Sequence, residues 1–275
     1  MSNNARPLFH RGRLKATRSL SANTFDPATC PLYGCVDESL THRLEDLSLP
    51  STFARRILIY GARTDALYAL CTRLFPKAMI VTADWCAAAL DQSTPQRAVF
   101  WEEDAPFEKG SFDIILSCLT LQVCERPPIA LANLFQLLRE GGFFLTQFMG
   151  GASLAQLRDA LIQADFEASR GARARTIPMM DMQTTLTLFT RSGFTGCICD
   201  EERVMLSFKT AKSLQHFLRA RGAQIPLSAS PPPNRAFYGA AIKHLADLTL
   251  HLDIVTCLGW RANATYPSLP DAPAS

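Results

Sequence analysis

Between residues 57 and 148 the sequence alternates short apolar runs with segments of helical spacing, and few architectures accommodate that rhythm. Ile57-Leu-Ile-Tyr60 is a compact apolar run closed by Gly61, and Asp65 to Phe75 then places apolar residues at helical spacing before Pro76 ends them. The pattern repeats with Ala78-Met-Ile-Val-Thr82, which leads to Asp84 and a short helical segment at Ala87 to Leu90. Arg97 to Trp101 and Phe112-Asp-Ile-Ile-Leu-Ser117 are the third and fourth strand candidates. A helix over Ile129 to Arg139 is expected to stop at Gly141-Gly142, and the run ending at Phe148 is the fifth strand. Strands alternating with helices at this spacing predict βαβ units in a parallel sheet covered on both faces, with right-handed crossovers. The fold class is therefore α/β, Rossmann-like and mostly parallel.

Beyond Gly150-Gly151 the spacing predicts a helix from Ser153 to Glu167, a basic loop with Arg170, Arg173 and Arg175, and a helix from Met182 to Ser192. Cys197 to Phe208 alternates as a strand, Ala211 to Arg221 is helical, and Leu227 to Pro233 is an irregular surface loop. A helix from Arg235 to Leu248, a strand from Leu250 to Trp260 and a Pro-rich, disordered tail complete the series. Ahead of the sheet, Glu38 to Leu47 reads as a short helix broken by Ser48-Leu-Pro-Ser51. The expected organisation is an arm and helix over 1–50, one domain over 51–262 and a tail over 263–275.

Bulk numbers narrow the function. The 275 residues are 48% hydrophobic and 19% charged, apolar enough to bury a core and too apolar for a disordered chain. A net charge of +3, from 28 basic and 25 acidic residues, is too balanced to concentrate nucleic acid, so no nucleic-acid partner is expected. Nine cysteines lie mostly in apolar runs without a CxxC pair, which suits free thiols in a reducing compartment. Histidines 10, 42, 216, 244 and 251 lack ligand spacing, and no metal is expected. No apolar run approaches a membrane span. The N-terminal segment is basic and free of acids until Asp26, as a mitochondrial transit peptide would be. Residues 8 to 22 read as a solvated basic arm, the competing reading being an amphipathic helix resting on a membrane surface or a partner. The expected compartment is the cytoplasm, with the mitochondrial matrix as the alternative.

Ligands of such sheets bind beyond the carboxyl ends of the strands, so the residues just after each strand are the candidates. Gly61-Ala62-Arg63 and Asp65 follow the first strand, where a tight turn aims backbone N–H groups and a helix N-terminus at a ligand. Asp84, with Trp85 beside it, ends the second strand where a carboxylate can accept from ribose hydroxyls. Trp101 can stack on an adenine ring, and Glu102 or Glu103 can accept its amino group. Ser117 to Gln122 closes the fourth strand beside the transferred group.

At these residues the chain resembles the class I S-adenosylmethionine-dependent methyltransferases. It is similar to the group that contains the malonyl-carrier-protein O-methyltransferases and the mitochondrial complex I assembly-factor methyltransferase-like proteins. The resemblance rests on Leu8-Phe-His-Arg11, Pro106-Phe107, Gly110-Ser-Phe-Asp113, Ser117-Cys-Leu-Thr-Leu-Gln122, Phe148-Met-Gly-Gly151, Leu154 to Leu161, Ser192-Gly-Phe194, Leu218-Arg-Ala-Arg-Gly222 and Cys257-Leu-Gly-Trp260. The complex I branch fits the C-terminal half better. Leu8-Phe-His-Arg11 sits where mature members of that branch begin, which leaves little sequence for a cleavable presequence. The resemblance implies a seven-stranded sheet with Leu250 to Trp260 antiparallel, and S-adenosylmethionine as cofactor.

Three positions depart from the family pattern. The acid two residues before the first glycine is Ile59, which cannot bind an ammonium group, and a later loop glycine is Asp65. The acid after the third strand is Trp101. One lost charge-assisted hydrogen bond costs about 1.5–3 kcal/mol, roughly ten- to hundredfold in affinity. Asp65 supplying the missing acid from a shifted position is a compensation left open. Two functions follow: methyl transfer to an acceptor of unknown identity, a protein among the candidates, or an accessory role in assembling a partner, including the arginine hydroxylation that the complex I branch implies. Arg158, Arg219 and Arg221 are candidates for an acidic partner, against a plain reading as solvated helix faces.

Overall fold

The computed structural model describes residues 7–24, 31–61, 64–90, 94–168, 176–220 and 235–262. The expected tail, the basic loop at 169–175 and the surface loop at 227–233 lie outside them. Seven strands form one sheet: β1 (Arg56–Tyr60), β2 (Met79–Asp84), β3 (Arg97–Val99), β4 (Phe112–Cys118), β5 (Leu138–Gly150), β6 (Thr195–Ser207) and β7 (Thr249–Trp260). Their order is β3-β2-β1-β4-β5-β7-β6, with β1 to β5 parallel and β7 antiparallel to both β5 and β6. This is the sheet that the alternation and the resemblance imply. Between β1 and β4 the order reverses, and the crevice there is where a doubly wound sheet binds its ligand.

Among the described residues eight α-helices cover the two faces: α1 (Arg11–Thr24), α2 (Pro31–Asp46), α3 (Ala66–Leu74), α4 (Pro127–Leu137), α5 (Ala155–Glu167), α6 (Met182–Arg191), α7 (Ala211–Ala220) and α8 (Arg235–Ile242). Period-2 alternation of the strands sorts their side chains between two cores. Ile57 and Ile59 join Leu40, Leu67 and Leu161 under α2, α3 and α5, while Leu58 and Tyr60 face Phe9, Leu14, Leu131 and Phe189 under α1, α4 and α6. Among the described residues no helix is long and apolar enough to cross a membrane.

Four expectations need correction. The helix expected from Glu38 begins at Pro31, because Leu32, Tyr33 and Val36 extend its buried stripe backwards. The helix expected to end at Gly141-Gly142 ends at Leu137, and the glycines belong to the entry of β5. There Gly141 has φ +75°, and a Cβ on Gly142 would stand 2.6 Å from the Asp113 carbonyl oxygen, so the pair serves a bulge packed on β4. The last helix stops at Ile242, six residues early, and the chain turns through 243–248 into β7.

The fourth correction concerns residues 8 to 22. They are not a solvated arm: α1 lies on the carboxyl edge of the sheet, with Phe9 and Leu14 buried. The Glu125 carboxylate accepts from the backbone N–H groups of Leu8 and Phe9 at 2.5 and 2.9 Å and ties down the start of the segment.

Candidate active site

At the end of β1 the chain turns at Gly61, whose φ of +78° a residue with a Cβ adopts only with strain. A Cβ there would also lie 2.0 Å from Thr120 Cγ2 and 2.7 Å from the Cys118 carbonyl oxygen, so the loop is pressed against the end of β4. Its far side is held by α2, since the Thr64 hydroxyl donates to Asp37 at 2.6 Å. Burial raises the Asp37 carboxyl above its ordinary range, an effect that the Thr64 bond partly offsets and nearby Asp65 increases. Ala62 and Arg63 lie outside the described residues. Asp65 is exposed at the start of α3 and provides no acid inside the crevice, while Ile59 is 1% exposed and packed in the core.

Asp84 is fully buried at the end of β2. One of its oxygens accepts from the Cys86 backbone N–H at 2.8 Å, and the other is 2.5 Å from Nη2 of Arg18. The same guanidinium donates to the Gly61 carbonyl oxygen at 3.1 Å and lies 5.5 Å from the Trp85 ring centroid. Burial works against the Arg18 charge, but Asp84 more than compensates, so the guanidinium stays protonated at every accessible pH. Trp85 and Trp101 stack on each other, centroids 4.9 Å apart and planes within 5°. Arg11 covers the outer ring, its guanidinium 4.7 Å from the Trp101 centroid.

The two glutamates after β3 have separated roles. Glu103 turns away from the crevice: Oε1 accepts from the backbone N–H groups of Glu125 and Arg126 at 3.1 and 3.2 Å, and Oε2 from Arg11 at 3.2 Å. It fixes the turn into α4 and one end of α1, so both oxygens are taken. Glu102 stays inside, beside Tyr60 and Thr120, and burial pushes its carboxyl up to about 7 against the smaller pull of those hydroxyls. The Ser117 hydroxyl is spent on Thr120 at 2.8 Å.

Beyond the Gly61 turn, Arg18, Tyr33, Leu119, Gln122, Leu154 and Phe217 line a small, mostly apolar cleft of about 30 Å³. Gln122 donates to the Leu119 carbonyl oxygen at 2.8 Å and leaves its own oxygen unpaired. Arg158 is exposed on α5; Arg221 and the side chain of Arg219 lie outside the described residues.

The structure thus brings Gly61, Asp84, Trp85, Trp101, Glu102 and Ser117 together at one edge and spends Glu103 elsewhere. Sequence reasoning missed Arg18 and Arg11. Arg11 closed a motif of the resemblance without a role, Arg18 had only a basic segment without acids that reads equally as a solvated arm, and nothing local to α1 encodes the position of Asp84.

An adenosine moiety does not fit this arrangement. Asp84 and the Gly61 carbonyl are engaged by Arg18, and a ring inserted between two indoles needs a separation of roughly 7 Å, twice a stacking distance, against the observed 4.9 Å. Buried polar atoms without a hydrogen-bond partner remain nonetheless: Nε of Arg18, Nε1 of Trp85, Oε1 of Glu102 and Oε1 of Gln122. Such atoms cost about 1–3 kcal/mol each, and native interiors contain few.

Comparison with known proteins gives this edge its class. A family model described as a methyltransferase domain matches residues 60–146, from the end of β1 into β5. YcgJ of Bacillus subtilis superposes with a TM-score of 0.58 over 82% of this chain and 99% of that one; at 13% identity this likeness concerns the fold. With its switch-point crevice and the Gly61 turn, the chain has the class I methyltransferase fold, and its central segment is similar to the methyltransferase-domain family.

The chain is similar to malonyl-[acyl-carrier protein] O-methyltransferase of Herminiimonas arsenicoxydans, 28% identical over 198 residues, covering 71% of this chain and 73% of that protein. It is also similar to the mitochondrial arginine-hydroxylase NDUFAF5 of Homo sapiens, 27% identical over 121 residues, or 44% of this chain and 35% of that one.

Proposed function

We propose that this chain catalyses methyl transfer from S-adenosylmethionine to an acceptor entering through the space lined by Tyr33, Leu119, Gln122 and Phe217. The observation that carries the reading is Asp84, a fully buried carboxylate at the switch-point edge whose charged partner among the described residues, Arg18, comes from a separate helix, α1. A buried acid is retained against its desolvation cost where it has something to bind. Methyl transfer relies on holding acceptor and donor in line far more than on acid–base groups, so positioning is the main demand on such a site. The mostly apolar lining suits an acceptor with an aliphatic or acyl portion, and a carrier-protein thioester, the kind of substrate named for the bacterial relatives, has one.

Titration calorimetry with S-adenosylmethionine tests the reading. Binding tighter than about 100 μM, abolished in Asp84→Ala and in the less disruptive Asp84→Asn, supports it. No heat at millimolar ligand in any variant rejects it.

A second reading is favoured by Ile59 and by the occupied Asp84: a methyltransferase-fold accessory protein that works by holding a partner. Arginine hydroxylation belongs to this reading through the likeness to NDUFAF5, as does a location in the mitochondrial matrix. The cytoplasm remains our first assignment, supported by the free cysteines. A pulldown that retains one dominant protein while calorimetry stays silent favours the accessory role. No nucleic-acid partner is proposed; peripheral membrane contact through α1 would require that helix to leave its place on the sheet.

A further inference from the structure

We infer that α1 is an intramolecular competitor of the cofactor, a strap that closes the adenosine half of the site and must lift for the site to fill. The inference rests on the proposed cofactor reading and adds to it an order of events.

The contacts of α1 fall on the groups an adenosine would need. Arg18 takes the carboxylate at the end of β2 and the carbonyl of the Gly61 turn, both through Nη2. Arg11 and Lys15 sit over the outer face of Trp101, at 4.7 and 5.9 Å from its centroid, and so back the stacked indole pair. The Lys15 carbonyl oxygen accepts from the Cys86 thiol at 3.7 Å, so helix backbone also crosses the residues after Asp84. Phe9 and Leu14 anchor the segment in the core beside Trp85 and Cys86.

Four features make this occupant displaceable. Its apolar anchorage is slight: beside Phe9 and Leu14, Leu20 is 61% exposed. Its charges oppose the helix: Arg11 and Arg13 occupy the first turn, where the macrodipole favours acids, and α1 has no acid there. A helix of 14 residues rich in polar groups is marginal on its own, so α1 owes its helicity to docking. Its fit is also incomplete, since Arg18 Nε and Trp85 Nε1 are buried at the contact without partners. A ligand whose hydroxyls satisfy Asp84 can therefore replace Arg18, and the apparent affinity is reduced by the fraction of molecules in which α1 is docked.

The test compares the full chain with Arg18→Ala and with Leu14→Gln, which loosens α1 without touching Asp84 or the Gly61 turn. Binding of S-adenosylmethionine is measured by calorimetry, and amide hydrogen exchange of residues 11–24 is followed with and without it. The expected result is binding about tenfold tighter or more in both variants, with α1 losing protection when the cofactor binds the unmodified chain. Equal affinity in all three proteins, with α1 protection unchanged, overturns the strap and leaves the methyltransferase reading standing. Increased α1 protection on binding also overturns it, because α1 would then close over the cofactor instead of taking its place. No binding in any of the three rejects both. If Arg18→Ala fails to fold, Leu14→Gln and the exchange measurement on the unmodified chain decide.

Discussion

The two halves of the crevice differ in what stands against a cofactor. On the β2 and β3 side most of the binding groups are present: Asp84 is buried and oriented, and two indoles stand where an adenine would stack, although Trp101 replaces the acid after the third strand. What occupies this half is α1, together with the closed indole pair. On the β1 side nothing covers the fault, because Ile59 puts a side chain of the core where the family has an acid, and exposed Asp65 does not replace it. One half is occluded and recoverable by motion; the other is altered in its covalent structure and recoverable only by mutation.

The sharpest attempt to break this comparison is Ile59→Asp. If the β1 half is altered as described, the new carboxylate is buried among Leu40, Leu67 and Leu161 without a cation and costs about 3–5 kcal/mol of stability. S-adenosylmethionine should bind the variant no more tightly than the parent. Chemical denaturation and calorimetry read both, and restored affinity at unchanged stability would show the two halves to be alike.

Glu102 sits between the halves, and its titration gives the next effect. Its carboxyl stands near 7 in the folded chain against an ordinary value of 4.5, chiefly through burial. The fold therefore holds a proton that the unfolded chain releases. That preference favours the fold fully below about pH 4.5, is lost as pH rises towards 7, and is absent above it. Replacing the acid by its neutral isostere in Glu102→Gln should stabilise the protein at pH 8 by roughly 3 kcal/mol and leave it unchanged near pH 4. Urea melts across that range show whether the slope between pH 5 and 7 disappears.

Asp65→Gly carries the smallest effect. It restores the family's glycine, but at an exposed position, so stability should move by no more than about 0.5 kcal/mol and affinity by less than about twofold. A larger gain in affinity would place Asp65 inside the crevice.

The sheet was legible because each strand carries its own signal: Ile57 to Tyr60 is apolar, bounded by a glycine and followed by a helical period. The places of Asp84 and Trp101 followed from one rule about strand ends. Glu102 and Glu103 were not separable in this way, since adjacent acids in a turn point apart and only the turn into α4 decides which is buried uncharged. The partners of Asp84 were illegible for another reason. Arg18 lies 66 residues away in the chain, and its pairing depends on packing α1 across a finished sheet. Local patterns define elements, and the crevice is made of contacts between elements.

The position of β7 has a consequence for how this molecule is made. It is the last of the seven strands in chain order, yet it lies between β5 and β6, antiparallel to both. Until residues 249–260 leave the ribosome, β5 has an open edge carrying Phe143, Phe144 and Phe148, and β6 has nothing to pair with. At translation rates of about 5–20 residues per second this interval lasts seconds, ample for a hydrophobic edge to find another nascent chain. The C-terminal strand is thus the keystone of biogenesis: yield of soluble protein should depend on its prompt insertion, and on chaperones that shield β5 while it is awaited.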